Sequence, residues 1–267
     1  MSIRKSIKYS QNFLVDPNLV DKLLDLVSLS KEDTVLEIGA GEGIITKALL
    51  DKCKKVIAYE IDKQLVKNLN NKFFNQNNLE LRNEDFLNQT LPKFPYKVFS
   101  NIPFNVTSAV IKKLTLGENS PQEAYLIVQK EAAIKFLGKP YDNKNSQVSV
   151  LLYPFFELEI IHVFEKTDFS PVPNINIVLL GIKKRKQSLV SLNEINMFRD
   201  FVSYTYTRSK TSSFDFSHWL ALFNEHKRLP DIKKRKVQGW YTKLLKEQDN
   251  LEKIHRTRVD KNWRNYK

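Results

Sequence analysis

The run Glu37-Ile38-Gly39-Ala40-Gly41-Glu42-Gly43 decides how this chain is read. An apolar stretch, Thr34-Val35-Leu36, enters it, and a helix-like pattern beginning Ile44-Ile45-Thr46 leaves it. The order is strand, glycine turn, helix. Glycine has no Cβ, so such a turn can take positive φ and let the backbone approach a ligand closely. An ordinary tight turn between strand and helix would explain one glycine. Three alternating glycines, in a chain that holds only seven, point to a ligand. The dinucleotide fingerprint G-x-G-x-x-G would need glycine at position 44, where Ile44 stands, which weakens a pyrophosphate reading.

The E-x-G-x-G-x-G form instead resembles the first motif of S-adenosylmethionine-dependent methyltransferases. There the turn packs against the methionine part of a ligand that has no phosphate to cradle. Working outward, Val56-Ile57-Ala58-Tyr59 predicts a second strand that ends in Glu60-Ile61-Asp62. An acid at the end of that strand can accept hydrogen bonds from both ribose hydroxyls. Glu60 stands 19 residues past Gly41, close to the spacing expected, with Ile61 beside it on the cofactor wall. Asp62 reads as the cap of the next helix. Leu79-Glu80-Leu81 predicts a third strand leading to Asn83-Glu84-Asp85-Phe86. In this fold class an Asp at that point accepts from the cofactor's adenine amino group, and the next residue packs near the ring. Asp85 and Phe86 are the candidates.

Tyr96-Lys97-Val98-Phe99 predicts a fourth strand, which ends in Ser100-Asn101-Ile102-Pro103-Phe104. An aromatic amine is a poor nucleophile because its lone pair is delocalised into the ring. An Asn side-chain oxygen and a nearby backbone carbonyl can each accept one amino hydrogen, which favours a pyramidal nitrogen with its lone pair aimed at the methyl group. Pro103 stiffens the turn that presents the carbonyl. Phe104 can stack on a base taken out of its helix, worth roughly 1–3 kcal/mol. A lone N-x-P-F would say little. At the end of the fourth strand of a unit opened by E-x-G-x-G-x-G it marks Asn101, Ile102, Pro103 and Phe104 as the catalytic set.

The rest of the chain supplies context. Asp16-Pro17 reads as a helix start, with Leu19, Val20, Leu23, Leu24 and Val27 at helical spacing. Gln11 and Asn12, just before it, read on composition as loop polars. Gly138 to Asn145 reads as a polar, flexible loop within reach of substrate, and Gln147 to Phe156 is apolar and ambiguous. Leu158 to Phe164 and Ile175 to Ile182 predict two strands joined by the Pro-rich stretch Phe169-Ser170-Pro171-Val172-Pro173, closing the sheet as an antiparallel edge. After Lys183-Lys184-Arg185-Lys186 the period becomes helical, which divides the chain into a sheet domain, 1–186, and a helical domain, 187–267. His255 to Lys267 is a basic tail with Trp263 and Tyr266. Residues 183–267 hold 21 Lys and Arg against 9 Asp and Glu, or +12 of the chain's net +13. A basic module beside a near-neutral one predicts a polyanionic partner, here RNA.

No window reaches the roughly 18 consecutive apolar residues of a membrane span. The basic N-terminus has no apolar signal core. Four scattered histidines have no ligand spacing, so no metal site is expected. The single cysteine, Cys53, excludes an internal disulfide and reads as a packing residue; a cytoplasmic location is expected.

Taken together, Ser10-Gln11-Asn12-Phe13-Leu14, Glu37 to Gly43, Glu60-Ile61-Asp62, Asn83 to Phe86, Asn101 to Phe104 and Phe169 to Pro173 strongly resemble the rRNA adenine N6-dimethyltransferases. That family holds the Erm macrolide-resistance enzymes of 23S rRNA and the KsgA-type dimethylases of 16S rRNA. The resemblance implies a Rossmann-like, class I methyltransferase sheet, mostly parallel with an antiparallel edge strand, and a small all-α C-terminal domain. It turns Gln11, Asn12 and Leu14 into cofactor contacts at the methionine end. Gly39 and Gly41 would line S-adenosylmethionine, Glu60 bind its ribose and Asp85 its adenine. Asn101 would face both cofactor and target adenine, and Phe104 would stack on that base. Phe198 to Lys210 and Trp219 to Lys227, with Leu222-Phe223-Asn224-Glu225-His226-Lys227, look like the Erm C-terminal region. The expected function is therefore methylation of one 23S rRNA adenine by a monomer, with resistance to macrolides, lincosamides and streptogramin B. A 16S dimethylase and a non-catalytic RNA-binding assembly factor are the alternatives. DNA fits the motif order and tail less well. Two departures stand out: Phe104 replaces the commoner Tyr, and Asn174-Ile175-Asn176 stands where many relatives carry a lysine and a small polar residue.

Overall fold

The strand that enters the glycine turn, β2 (Thr34–Ile38), lies third in a seven-stranded sheet. The computed structural model describes residues 12–140, 142–208, 211 and 213–249. On one side of β2 lie β3 (Lys55–Tyr59) and then β4 (Leu79–Arg82); on the other lie β5 (Lys97–Asn101), β6 (Glu123–Gln129), β9 (Ile177–Lys184) and β7 (Phe156–Val163). The first five strands are parallel, and β9 runs antiparallel to both β6 and β7. Two short strands, β1 (Phe13–Leu14) and β8 (Phe169–Ser170), form a separate antiparallel ladder.

The central strands are mostly apolar in their interiors because both faces are covered. Alternate side chains supply two cores. Leu36, Val98, Leu126 and Leu180 enter one. Val35, Phe99, Tyr125 and Leu179 enter the other, beneath α1 (Pro17–Asp25) and α2 (Ile44–Lys52). Asp16 starts α1 by accepting from Asn18 N–H at 2.9 Å, with Pro17 in the first turn. Asp62 starts α3 (Lys63–Lys72) by accepting from Gln64 N–H at 2.7 Å. Cys53 is buried in the second core.

The first core continues past α4 (Thr107–Leu116), α5 (Lys130–Leu137) and α6 (Gln147–Leu152) into the C-terminal helices. These are α7 (Ile195–Arg208), α8 (Phe216–Lys227), α9 (Asp231–Arg235) and α10 (Trp240–Asp249). Phe198, Phe201, Trp219 and Phe223 share that core with Leu151 and Phe155. Polar ties reinforce the seam: Arg199 donates to the Leu116 carbonyl at 2.8 Å and Gln147 to the Ser203 hydroxyl at 3.0 Å.

Three local expectations are revised. The ambiguous stretch from Gln147 begins as α6, capped by the Ser146 hydroxyl, before β7 starts at Phe156. The loop from Gly138 is not simply open to substrate. Asn145 is fully buried; it accepts from Lys139 N–H and donates to the Phe214 carbonyl, pinning the loop under the C-terminal helices. The edge strands also lie one or two residues from their expected limits. Lys183 and Lys184 belong to β9, where Lys183 sits at a solvent-facing strand end and pairs with Glu159 at 3.2 Å. Among the described residues no helix is long and apolar enough to cross a membrane.

Candidate functional site

The chain leaves β2 toward β3 on one side and leaves β5 toward β6 on the other. Between the carboxyl ends of β2 and β5 this opens the crevice that doubly wound sheets use for ligands. A cavity of about 550 Å³ lies there. Its walls gather Asn12, Leu14, Gly39, Gly41, Asn101, Ile102, Pro103 and Phe104, residues up to 92 positions apart in sequence.

The glycine turn forms the first wall. Gly39 has φ +78° and its N–H donates to the Tyr59 carbonyl at 2.8 Å. A Cβ built there would meet nothing nearer than Pro103 at 3.8 Å, so the backbone is open toward the cavity. Gly41, at φ +57°, is different. A Cβ there would lie 2.8 Å from the Phe13 ring, so this glycine is also demanded by protein packing across the turn. Behind the turn sits Glu60, 2% exposed. Its carboxylate accepts from the N–H groups of Gly41 (2.9 Å), Ile61 (2.8 Å) and Asp62 (2.9 Å). Three of about four acceptor positions on that carboxylate are thus occupied by backbone.

Ile61, Asp85 and Phe86 lie beyond the cavity wall, at the ends of β3 and β4. Ile61 is 48% exposed. Asp85 accepts from Leu87 N–H and from the Asn88 amide. Phe86 is buried edge-on against Tyr59, with ring centroids 5.3 Å apart, and Lys113 Nζ lies 5.5 Å from its ring. Asn83 ties this corner to the site by donating to the Glu60 carbonyl at 2.9 Å. Gln11 lies outside the described residues.

The second wall is Asn101 to Phe104. Asn101 ends β5, and its Nδ2 donates to the backbone carbonyl of Asn12 at 2.7 Å. The Asn12 side chain in turn donates to the Pro171 carbonyl. The Pro103 carbonyl accepts from Val106 N–H at 3.0 Å, which starts the turn into α4. Phe104 is partly exposed at the cavity mouth.

One residue of the site has no role in the sequence reading beyond opening the motif. Glu37 lines the cavity, is 1% exposed, and accepts from the Thr46 hydroxyl at 2.6 Å. Burial, with a smaller push from Glu60, raises its pKa from the usual carboxylate range to about 8. No described cation forms an ion pair with it. The available signal was an acid closing an otherwise apolar strand.

These features fit S-adenosylmethionine. The turn leaves the Gly39 backbone open, and a buried acid lacking a cationic partner among the described residues faces the space where a sulfonium compound would lie. Fold and crevice together define a class I S-adenosylmethionine-dependent methyltransferase. A family model described as ribosomal RNA adenine dimethylase matches residues 2–218. The chain is 35% identical over 191 residues to ribosomal RNA small subunit methyltransferase A of Mycoplasmopsis pulmonis, covering 71% of this chain and 75% of that one. It is 30% identical over 245 residues to an rRNA adenine N-6-methyltransferase of Limosilactobacillus reuteri, covering 84% and 98%. Among solved structures, the 23S rRNA methyltransferase ErmE superposes with a TM-score of 0.68 at 24% identity, covering 86% of this chain and all of that one, a likeness of fold. The chain belongs to the ribosomal RNA adenine dimethylase family, enzymes that use S-adenosylmethionine.

Proposed function

We propose that this enzyme methylates N6 of one adenine in 23S rRNA. The observation that carries the chemistry is the Asn101 amide, whose nitrogen end is held by the Asn12 carbonyl. That leaves Oδ1 to accept from an incoming amine. With the Pro103 carbonyl engaged by Val106, the Ile102 carbonyl is the second acceptor of the turn. Two acceptors on one amino group favour a pyramidal nitrogen with its lone pair directed at the donor. Phe104 stacks on the extruded base. The cofactor supplies a methyl group on a sulfonium, already a good leaving group, so the protein contributes position and electrostatics rather than a strong base. On this reading Asn12, Leu14, Gly39 and Gly41 contact the methionine end, Glu60 the ribose, and the corner of Ile61, Asp85 and Phe86 the adenine. Residues 1–186 carry out transfer, and residues 187–267, with 17 Lys and Arg against 9 Asp and Glu, grip RNA together with the Lys183–Lys186 cluster at their boundary. The enzyme works as a monomer.

The 23S target is supported by the Erm-like segment Leu222 to Lys227. Methylation there would confer resistance to macrolides, lincosamides and streptogramin B. A second reading, a 16S dimethylase of ribosome assembly, is favoured by the name of the M. pulmonis relative. Purified protein, labelled S-adenosylmethionine and separate protein-free 23S and 16S rRNAs decide between them. Label on one 23S adenine is expected. Label confined to 16S rRNA would move the enzyme to the assembly branch. No label on any RNA would overturn the adenine reading.

A further inference from the structure

The stretch Phe169-Ser170-Pro171 stands out in the sequence, yet nothing in the proposed chemistry uses it. In the structure it clasps the N-terminal segment. Phe13 pairs with Ser170 and Leu14 with Phe169; Val15 N–H donates to the Asp168 carbonyl at 3.1 Å; the Asn12 side chain donates to the Pro171 carbonyl. Leu14 and Phe169 are buried side by side in the second core, which anchors the clasp. Among the groups that the segment so held brings to the site is the Asn12 carbonyl, 2.7 Å from Asn101 Nδ2.

An amide side chain has a donor end and an acceptor end. Only the acceptor end can receive a hydrogen from a target amine. If the Asn101 amide turned over, its Oδ1 would face the Asn12 carbonyl, two acceptors with no hydrogen between them. We propose that residues 168–171 and Asn12 form a positioning relay that keeps the oxygen of Asn101 directed at the substrate amine. Asn12 is then a positioning residue, acting through Asn101 and held by a clasp 159 residues downstream of it in sequence. The inference rests on the reading of Asn101 as the acceptor of the target amine. The same segment lays Phe13 across Gly41, so a single strap touches both walls of the cavity.

The test uses the full chain with Asn12→Ala, or with Asn12→Asp, which keeps the shape and lacks the donor, should the alanine variant fold poorly. The expected result is a kcat at saturating S-adenosylmethionine about tenfold lower, a loss separate from any rise in the Kd for S-adenosylhomocysteine, read by calorimetry, that removing an Asn12 cofactor contact brings. Combined with Asn101→Ala, it should be no slower than Asn101→Ala alone, because a residue acting through another has nothing left to act on. Losses that multiply in the double variant would overturn the relay. So would weakened cofactor binding with kcat unchanged, which would leave Asn12 a ligand contact and nothing more. A readout independent of turnover is the Asn101 side-chain NH₂ signal in ¹⁵N-labelled protein, assigned by its absence in Asn101→Ser. The relay requires this signal to shift in Asn12→Ala, and an unmoved signal would refute it. A wild-type protein that methylates no RNA would sink the proposed function, while the amide signal would still decide whether the clasp holds Asn101.

Discussion

The wall around the glycine turn and the helices after residue 194 are held together by different physics. In the first, directional hydrogen bonds dominate: Glu60 to three backbone N–H groups, Gly39 N–H to the Tyr59 carbonyl, Asn101 to the Asn12 carbonyl. In the second, rings dominate. Phe198 meets Phe223 at 5.1 Å, Phe201 meets Trp219 at 6.3 Å, and Trp240 has Arg208 at 5.1 Å and Lys243 at 4.7 Å from its ring. Hydrogen-bonded backbone accepts few residue types, so it writes motifs. Apolar packing accepts any residue of suitable volume, so it writes only a period. The difference also predicts what breaks when each region is changed.

The largest effect should come from the ring-packed side. Trp219→Ala empties a fully buried site and should cost about 3–5 kcal/mol of stability. A loss below about 1 kcal/mol in chemical denaturation would mean that α8 does not share the sheet's core. On the hydrogen-bonded side, Asn101→Ala should lower methyl transfer on the order of 100-fold, since misplacement of one reacting group has that scale. Its melting temperature should stay near wild type, and near wild-type turnover would remove Asn101 from the chemistry.

Glu37 ties the first region to pH. Its folded pKa, about 8, lies above the ordinary 4.5, so folding favours the protonated form. The stability this lends is full below about pH 4.5 and is lost as pH rises through 8. Wild type should therefore lose about 2 kcal/mol between pH 6 and pH 9, and Glu37→Gln should flatten that slope. Equal slopes in the two proteins would show that Glu37 does not titrate in this window. Gly41→Ala combines a left-handed φ with a clash against Phe13. It should cost about 1–2 kcal/mol and weaken S-adenosylhomocysteine binding in calorimetry. The smallest effect is expected on the basic surface. Replacing Lys233 and Arg235 by Gln should weaken RNA binding a few-fold and flatten its salt dependence by about 0.7–0.9 for each phosphate that is no longer neutralised, with cofactor affinity unchanged. An unaltered salt slope would place the RNA path elsewhere.

Legibility followed the same division. The glycine turn from Glu37 to Gly43 and the end of β5 at Asn101 could be located directly, because positive φ and close backbone approach narrow the choice to one or two residue types. Asp16 and Asp62 were legible as caps because capping also favours few residue types. Asn145 was not: a buried asparagine and a loop asparagine are the same letter, and only its bonds to Lys139 and Phe214 distinguish them. Glu37 shows the converse. Its identity was plain, but its raised pKa comes from burial and from Glu60, 23 residues away in sequence and close only after β2 and β3 pair.

By itself the sequence determined the alternation of strands and helices, the glycine turn, the asparagine at the end of β5 and the concentration of positive charge after residue 182, because periodicity, backbone torsion and charge are local properties. Only the tertiary structure decided that Pro171, Asn12 and Asn101 form one line of hydrogen bonds, that Phe13 closes over Gly41, and that the C-terminal helices share a core with the sheet. Those contacts join residues tens of positions apart, and their partners are selected by packing rather than by any pattern along the chain.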